Sequence, residues 1–130
     1  MLPLNLDIIR SYPLVYTATP YSKYHLGIHM AFVHACVLQS RLLLDGVKSY
    51  SPIVQTHPIA TYGNMDPLGH DFWLAYDRVQ MDAAAGLLVA QMPGWRDSYG
   101  VAYEIEYMSH AGKPVHFLPE DYSNPWREKL

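Results

Sequence analysis

The sequence lacks most of the features that would assign it to a specialised class. It has one cysteine, Cys36, which excludes an internal disulfide and fits a reducing compartment, so we expect a cytoplasmic protein. No apolar run reaches membrane-spanning length, and Met1–Arg10 does not resemble a secretion signal. With no basic run and a formal net charge of −3, electrostatics give no reason to expect nucleic-acid binding. We therefore expect neither a nucleic acid nor a membrane as partner.

Metal ligands are also sparse. His25 and His29 stand four residues apart on a predicted helix and could seat a metal, or they are ordinary surface histidines. No further ligand set at metal spacing accompanies them, and Cys36 is most simply a small buried apolar residue. The sequence predicts no metal and no cofactor.

Aromatic residues are plentiful. Among 130 residues there are eleven tyrosines and three tryptophans, and 50% of the chain is hydrophobic. This composition predicts one globular domain, residues 1–130, with a core of about 12–118 and a tail, 119–130, that Trp126 anchors. Several aromatics fall in predicted loops, which favours a ligand cleft or a subunit interface.

The segment Gly86–Leu118 organises the chain. It predicts a buried strand at Leu87–Ala90, a loop, a helix with capping side chains before it, a stop at Gly112 and a strand at Val115–Leu118. Such a strand–helix–strand unit is a right-handed parallel crossover. Open α/β sheets bind ligands at the loops that follow the carboxyl ends of their strands.

The rest of the chain extends this alternation of strands and helices. The fold class is therefore α/β, a small doubly wound parallel sheet of flavodoxin-like or Rossmann-like type with four to five strands. The remaining predicted segments are an aperiodic lead-in at Met1–Ser11, a strand at Tyr12–Thr19, a helix at Lys23–Leu44, a strand at Tyr50–Val54, a long loop from Gln55 through Gly69 and a helix at Asp71–Met81.

Three predicted groups of side chains suggest chemistry. The hydroxyls of Tyr16, Thr17, Thr19, Tyr21 and Ser22 suit sugar or phosphate contacts, although a capped turn has the same composition. Glu104 has apolar neighbours and either faces the cleft or is a glutamate in the early turns of the helix that the helix dipole stabilises, whereas Glu106 lies on a solvated face. Asp77 is charged within a helix and is either functional or a paired surface residue.

Four segments, in chain order, resemble one family. They are VYTATPYS (15–22), YSPIVQTHPIA (50–60), DFWLAYD (71–77) and PGWRDSYGVAYEIEYMSHAGKPV (93–115). The last carries a small residue, a glycine and a glutamate at Ser98, Gly100 and Glu104. These segments resemble the nucleoside 2-deoxyribosyltransferase-like superfamily, and most closely a bacterial and phage branch similar to deoxynucleoside 5′-monophosphate N-glycosidases.

The resemblance implies cleavage or transfer of an N-glycosidic bond. Glu104 would be the nucleophile that attacks the anomeric carbon, Asp77 would help protonate the departing base, and Tyr16 would orient the site. Ser98 stands where relatives acting on free nucleosides tend to have an aspartate, so a 5′-phosphate is the expected substrate group, with Arg96 as a further anion contact. The expected substrate-binding residues are Thr17, Thr19, Tyr21, Ser22, His57, Trp73, Gly94, Trp95, Ser98 and Gly100.

The resemblance also implies a small-molecule nucleotide or nucleoside as partner and a homo-oligomer, a dimer or tetramer, whose interface is the tail or the Lys23–Leu44 helix. Two other functions fit the same cleft. One is a non-catalytic nucleotide or ADP-ribose sensor, and the other is cleavage of NAD. The sequence does not distinguish ribose from deoxyribose, identify the base, or tell hydrolysis from base transfer.

Overall fold

The computed structural model describes residues 4–126. They form an α/β fold around one sheet of four parallel strands, in the order β2-β1-β3-β4, which confirms the predicted fold class. The strands are β1 (Val15–Ala18), β2 (Ser49–Tyr50), β3 (Gly86–Ala90) and β4 (Val115–Leu118).

Helices cover both faces of the sheet. One face packs against α1, α2 and α6, and the other against α4 and α5, while α3 packs beside α2. The helices are α1 (Leu6–Ser11), α2 (Ile28–Leu44), α3 (Pro52–Tyr62), α4 (His70–Ala83), α5 (Tyr99–His110) and α6 (Glu120–Ser123), with a 3-10 turn at Trp95–Asp97.

Alternation along the strands separates two apolar clusters. Val15 and Leu88 contribute to the cluster under α2, whereas Tyr16 and Leu87 contribute to the cluster under α4 and α5. All five residues of β3 are buried because this strand lies between neighbours and beneath helices on both faces. Successive side chains of β1 therefore contact opposite faces of the sheet.

The prediction of a strand at Tyr50–Val54 followed by a long loop was wrong. The strand ends at Tyr50, and Pro52 begins α3 at a position where a missing N–H costs no hydrogen bond. The helix continues through Pro58 to Tyr62, so only residues 63–69 connect it to α4. The helix was not predicted because this segment contains two prolines and several β-branched residues, which are less common in helices.

The start of the chain and the start of α2 also differ from prediction. Asn5 caps α1 by accepting hydrogen bonds from the N–H groups of Asp7 and Ile8, so the lead-in is not aperiodic. The α2 helix begins at Ile28 rather than at Lys23, because Gly27 takes a φ of +90° that a helix cannot contain.

The Gly86–Leu118 unit matches its prediction closely. Ser98 caps α5, Gly112 ends it with a φ of +73°, and β4 follows at the predicted residues. The buried face of α5 carries Val101, Glu104 and Met108, whereas Ala102 is exposed.

Three further details concern the surface and the tail. Trp126 stacks on His34 with ring centroids 3.9 Å apart, which anchors the described part of the tail. Cys36 is half-buried rather than buried. Within residues 4–126, no helix combines the length and the apolar character needed to cross a membrane.

Candidate functional site

A cleft opens at the carboxyl end of β1, between the first turns of α3 and α5 and the first half of α4. Its volume is about 80 Å³. It lies on the α4 and α5 side of the sheet. Here β1 and β3 are neighbours, and the helices that follow them, α2 and α5, lie on opposite faces of the sheet. The described residues that line it are Thr19, Tyr21, Ser22, Pro52, Ile53, Thr56, Pro67, His70, Trp73, Leu74, Asp77, Ser98, Gly100 and Glu104.

Glu104 projects from the buried face of α5 into this cleft. It is only 5% exposed, although a glutamate with an ordinary pKa is ionised at neutral pH. Its helix neighbour Glu106 is exposed and lies 3.8 Å from His110, as predicted for a solvated face. No lysine, arginine or histidine within residues 4–126 pairs with Glu104. Helix α5 therefore places one buried carboxyl group at the cleft, without a cationic partner among the described residues.

Asp77 brings a second carboxyl group to the cleft from α4. It is 8% exposed, which rules out the interpretation that it is a paired surface residue. Its Oδ1 atom is buried and has no hydrogen-bond partner among the described residues. Helix α4 therefore buries Leu74, Asp77 and Met81 along one face, with the acid between two apolar side chains.

Tyr16 lies beneath the two acids. Its side chain leaves β1 towards α4 and α5 and is fully buried. Burial, together with the nearby carboxyl groups of Glu104 and Asp77, raises the pKa of its hydroxyl. The hydroxyl makes no hydrogen bond of regular geometry to a described residue, yet it lies close enough to Glu104 to favour that carboxylate electrostatically. It is thus placed to orient the acid.

Burial changes the acidity of both carboxyl groups. Loss of solvation raises the pKa of Glu104 to about 8; the Tyr16 hydroxyl opposes this rise and Asp77 adds to it. Loss of solvation also raises the pKa of Asp77 to about 7. Near neutral pH the pair therefore exchanges protons, a property that acid–base catalysis requires.

Buried polar atoms without partners concentrate around the cleft. An unpaired buried polar group costs about 1–3 kcal/mol, so a cluster of them is unusual. Their position indicates a surface that is completed by polar groups of a ligand. Thr19 Oγ1 and Asp77 Oδ1 belong to lining residues, Tyr16 Oη lies beneath the acids, and Tyr50 Oη and Ser51 Oγ belong to the two residues that directly precede the lining residue Pro52 in the chain. Two further such atoms, Gln39 Oε1 and Asn124 Oδ1, belong to residues that do not line the cleft.

The first turn of α5 supplies donors at the cleft. Ser98 Oγ accepts a hydrogen bond of 3.3 Å from the N–H of Val101, so the hydroxyl proton of Ser98 remains available to a ligand. The N–H groups of Tyr99 and Gly100 are in the first turn, where no intrahelical acceptor exists. A methyl group at Gly100 would lie 3.9 Å from Oε1 of Glu104, which shows how closely this turn approaches the acid.

The structure brings together eight of the residues predicted from sequence. The cleft is lined by Thr19, Tyr21, Ser22, Trp73, Asp77, Ser98, Gly100 and Glu104. The indole N–H of Trp73 donates to the carbonyl of Asp66 over 2.8 Å, which fixes the ring at the wall. Tyr16 lies below this group without forming part of the wall.

Four predicted substrate-binding residues lie elsewhere. Thr17 points to the opposite face of the sheet, where its hydroxyl lies 2.6 Å from that of Ser49. His57 is buried behind Tyr21. Gly94 and Trp95 line a separate hollow of about 630 Å³, together with the exposed Arg96. This hollow is larger, but none of the titratable groups that line it is buried, so the cleft at Glu104 is the better candidate for chemistry.

Six residues of the wall were not predicted. Most belong to α3, whose first residues were predicted as a strand and the rest as a loop, and to α4, which was predicted to begin at Asp71. His70 begins α4, and its ring contacts Tyr99 of α5 edge to face at 5.2 Å. A glycine followed by a polar residue at a helix start was the available signal for His70. The six are Pro52, Ile53, Thr56, Pro67, His70 and Leu74.

The described residues contain no group of three or more histidine, cysteine, aspartate or glutamate side chains that could hold a metal. His25 and His29 are both exposed. Their exposure agrees with the interpretation of these two residues as surface histidines. The lining of the cleft itself carries two carboxyl groups and several hydroxyl groups.

Comparison with known proteins identifies a family whose function is unknown. The family described as a domain of unknown function, DUF1937, matches residues 13–120, which include all the strands and the whole cleft. No curated protein matches the chain. The resemblance to deoxyribosyltransferases thus remains a prediction from the quoted segments, and the established statement is that this chain belongs to the DUF1937 family.

Proposed function

We propose that this protein cleaves or transfers the N-glycosidic bond of a nucleoside 5′-monophosphate, with Glu104 as the nucleophile. One observation carries the proposal: two buried carboxyl groups, from different helices, line the same cleft without a neutralising cation among the described residues. Glycosidic bond cleavage through an oxocarbenium-like transition state uses such a pair, one as nucleophile and one as acid. The resemblance of the segment 93–115 to deoxyribosyltransferases supports the same assignment.

In the first step, a carboxylate oxygen of Glu104 bonds to the anomeric carbon of the sugar. The bond from that carbon to the base breaks, and its electron pair leaves with the base nitrogen. Asp77 donates a proton to the departing base and becomes a carboxylate. A glycosyl ester on Glu104 and a neutral base are the products.

In the second step, water or a second base attacks the same carbon and the ester bond breaks. Its electron pair returns to Glu104, and Asp77 accepts the proton that the attacking group loses. Both acids return to their starting state, so no other reactant is consumed.

The reaction requires Glu104 to be ionised while Asp77 is protonated. Burial raises the pKa of Glu104 to about 8 and that of Asp77 to about 7, so near neutral pH the pair holds about one proton. The reactive arrangement is the one in which that proton lies on Asp77.

The preference for a 5′-phosphate rests on the first turn of α5. The hydroxyl of Ser98 and the first N–H groups of the helix are donors, and an aspartate at this position would repel an anion. His70, whose ring contacts Tyr99, is the one basic side chain among the described residues of the wall.

Incubation with nucleosides, their 5′-monophosphates and NAD, followed by chromatography for released base, tests the proposal. We expect base release from monophosphates by the native protein and loss of release in Glu104→Ala. Glu106→Ala is the matched control, because it removes an exposed glutamate from the same helix.

Three results would count against the proposal. Release that survives Glu104→Ala would remove Glu104 from the mechanism. Release from NAD alone would favour a dinucleotide glycohydrolase. Tight nucleotide binding without release, equal in native protein and Glu104→Gln, would favour a non-catalytic sensor.

A further inference from the structure

A buried histidine behind the cleft holds one of its wall residues. Tyr21 lines the cleft, and its hydroxyl lies 2.6 Å from Nδ1 of His57 on α3. The two rings also meet edge to face, with centroids 5.6 Å apart. The contact joins the loop after β1 to α3, two parts of the chain 36 residues apart.

His57 itself is not placed to touch a ligand. It is 7% exposed, and its ring stacks on Phe32 of α2 with centroids 4.7 Å apart. His29 of α2 lies near its ring, with centroids 6.0 Å apart. Burial and the proximity of His29 lower the pKa of His57, so the imidazole is neutral at pH 7 and its Nδ1 can accept a hydrogen bond.

The length of the contact indicates the direction of the bond. A separation of 2.6 Å is typical of an O–H donor and is short for an N–H donor. Burial raises the pKa of Tyr21 to about 12, so the phenol keeps its proton and donates it to His57. The lone pairs of the Tyr21 oxygen are then left to accept from a ligand.

We infer that His57 is a positioning residue that fixes Tyr21 as a hydrogen-bond acceptor in the cleft, selecting ligands that present a donor group there. The donor is a hydroxyl of the sugar or an exocyclic amine of the base, since both supply the same N–H or O–H group. This inference rests on the proposed function for the identity of the ligand, but the hydrogen bond itself does not depend on turnover.

Nitrogen-15 NMR of the histidine side chains tests the bond without any activity. We expect His57 to carry its proton on Nε2, and its Nδ1 resonance to move in Tyr21→Phe but not in Tyr62→Phe, which removes the hydroxyl of an exposed tyrosine. A proton on Nδ1 at pH 7, or an Nδ1 resonance unchanged in Tyr21→Phe, would overturn the inference even if the protein proves to be a glycosidase.

A double-mutant cycle tests the consequence for the ligand. His57→Phe keeps the ring and removes the acceptor, and we expect a two- to tenfold weaker apparent affinity for the nucleotide, the value of about one hydrogen bond. In the Tyr21→Phe background the same substitution should change the affinity less than twofold. An undiminished effect there would contradict action through Tyr21 and would indicate a packing role only.

Two sets of analogues identify the donor. Loss of discrimination in Tyr21→Phe between ligands with and without the exocyclic amine assigns the base, and loss of discrimination between ligands with and without a sugar hydroxyl assigns the sugar. Discrimination retained for both sets in Tyr21→Phe would contradict the inference. Affinity is measured by calorimetry, so failure of base release in the native protein leaves this test decisive.

Discussion

On the α2 side of the sheet, the buried side chains of His34 and Thr17 are paired within the chain, whereas on the α4 and α5 side the buried acids Asp77 and Glu104 face a cleft. His34 on α2 is 7% exposed, bonds to the hydroxyl of Tyr24 over 2.7 Å and is covered by the stacked ring of Trp126. Thr17 leaves β1 on the same side and is matched by Ser49. These two pairs stabilise packing, as hydrogen-bonded buried polar groups usually do.

On the α4 and α5 side, the buried polar groups include two acids, whose burial costs more free energy. These groups have fewer stabilising partners among the described residues. Asp77 and Glu104 have no cationic partner among residues 4–126, and the Tyr16 hydroxyl makes no regular hydrogen bond. Similar burial with such different pairing separates two purposes. Paired groups hold the fold together, and groups held unpaired beside a cleft are available for a substrate.

The largest expected effect comes from removing the proton donor of the cleft. We expect Asp77→Asn to lower kcat/KM for base release by about 10²–10⁴-fold, the usual contribution of a general acid. Substrates whose base departs without protonation should lose much less. Steady-state kinetics with both substrate types checks this, and Asp71→Asn, an exposed acid on the same helix, is the control. An equal loss for both substrate types would contradict the assignment of Asp77 as acid.

The buried Glu104 should make stability depend on pH. Its pKa is raised in the folded protein, so the folded state binds more protons than the unfolded state between pH 4.5 and about 8. Its stabilising contribution is complete below pH 4.5 and is lost as pH rises through 8. We expect Glu104→Gln to gain on the order of 4 kcal/mol over the native protein between pH 5 and pH 9.

Urea unfolding at several pH values measures this difference. Glu106→Gln should follow the native protein throughout, because that side chain is exposed. A pH dependence of stability that is the same in the native protein and in Glu104→Gln would show that the acid is solvated, against the account.

The α2 side offers the converse test. His34→Phe keeps a ring under Trp126 but removes the bond to Tyr24, and we expect a loss of about 1–3 kcal/mol in the free energy of unfolding. Base release per folded molecule should stay within twofold of the native rate. A large loss of activity at full folding would mean that the two sides of the sheet are not functionally separate.

The smallest expected effect is at Gly100. Ala is favoured over Gly within a helix, so Gly100→Ala should stabilise the protein by up to about 1 kcal/mol. The added methyl group lies in the cleft, 3.9 Å from Oε1 of Glu104, and should lower kcat/KM by about three- to tenfold. Thermal unfolding and kinetics are measured together. Unchanged kinetics would place the reacting sugar away from this turn.

Much of this organisation could be predicted from sequence, and the failures have physical causes. The Gly86–Leu118 unit was predictable because Ser98 and Gly112 mark the ends of its helix and its strands are apolar runs. Helix α3 was not, since Pro52 and Pro58 imitate a loop although the first begins a helix and tertiary packing sustains the second.

The site could be predicted in part for a similar reason. Glu104 and Asp77 could be identified from segments that resemble a known family. Their burial could not be predicted from the sequence, because it arises from the packing of α4 and α5. The role of His57 behind Tyr21 depends on a contact across 36 residues, which no local pattern records.

The most direct test of Glu104 as nucleophile is to trap the sugar on it. A 2′-fluoro analogue of the best substrate slows formation and breakdown of the glycosyl ester, because fluorine destabilises the oxocarbenium-like transition state. After quenching and proteolysis, mass spectrometry should find the sugar on the peptide that contains Glu104. Attachment to another residue, or release of base from the native substrate by Glu104→Gln at the native rate, would contradict the mechanism.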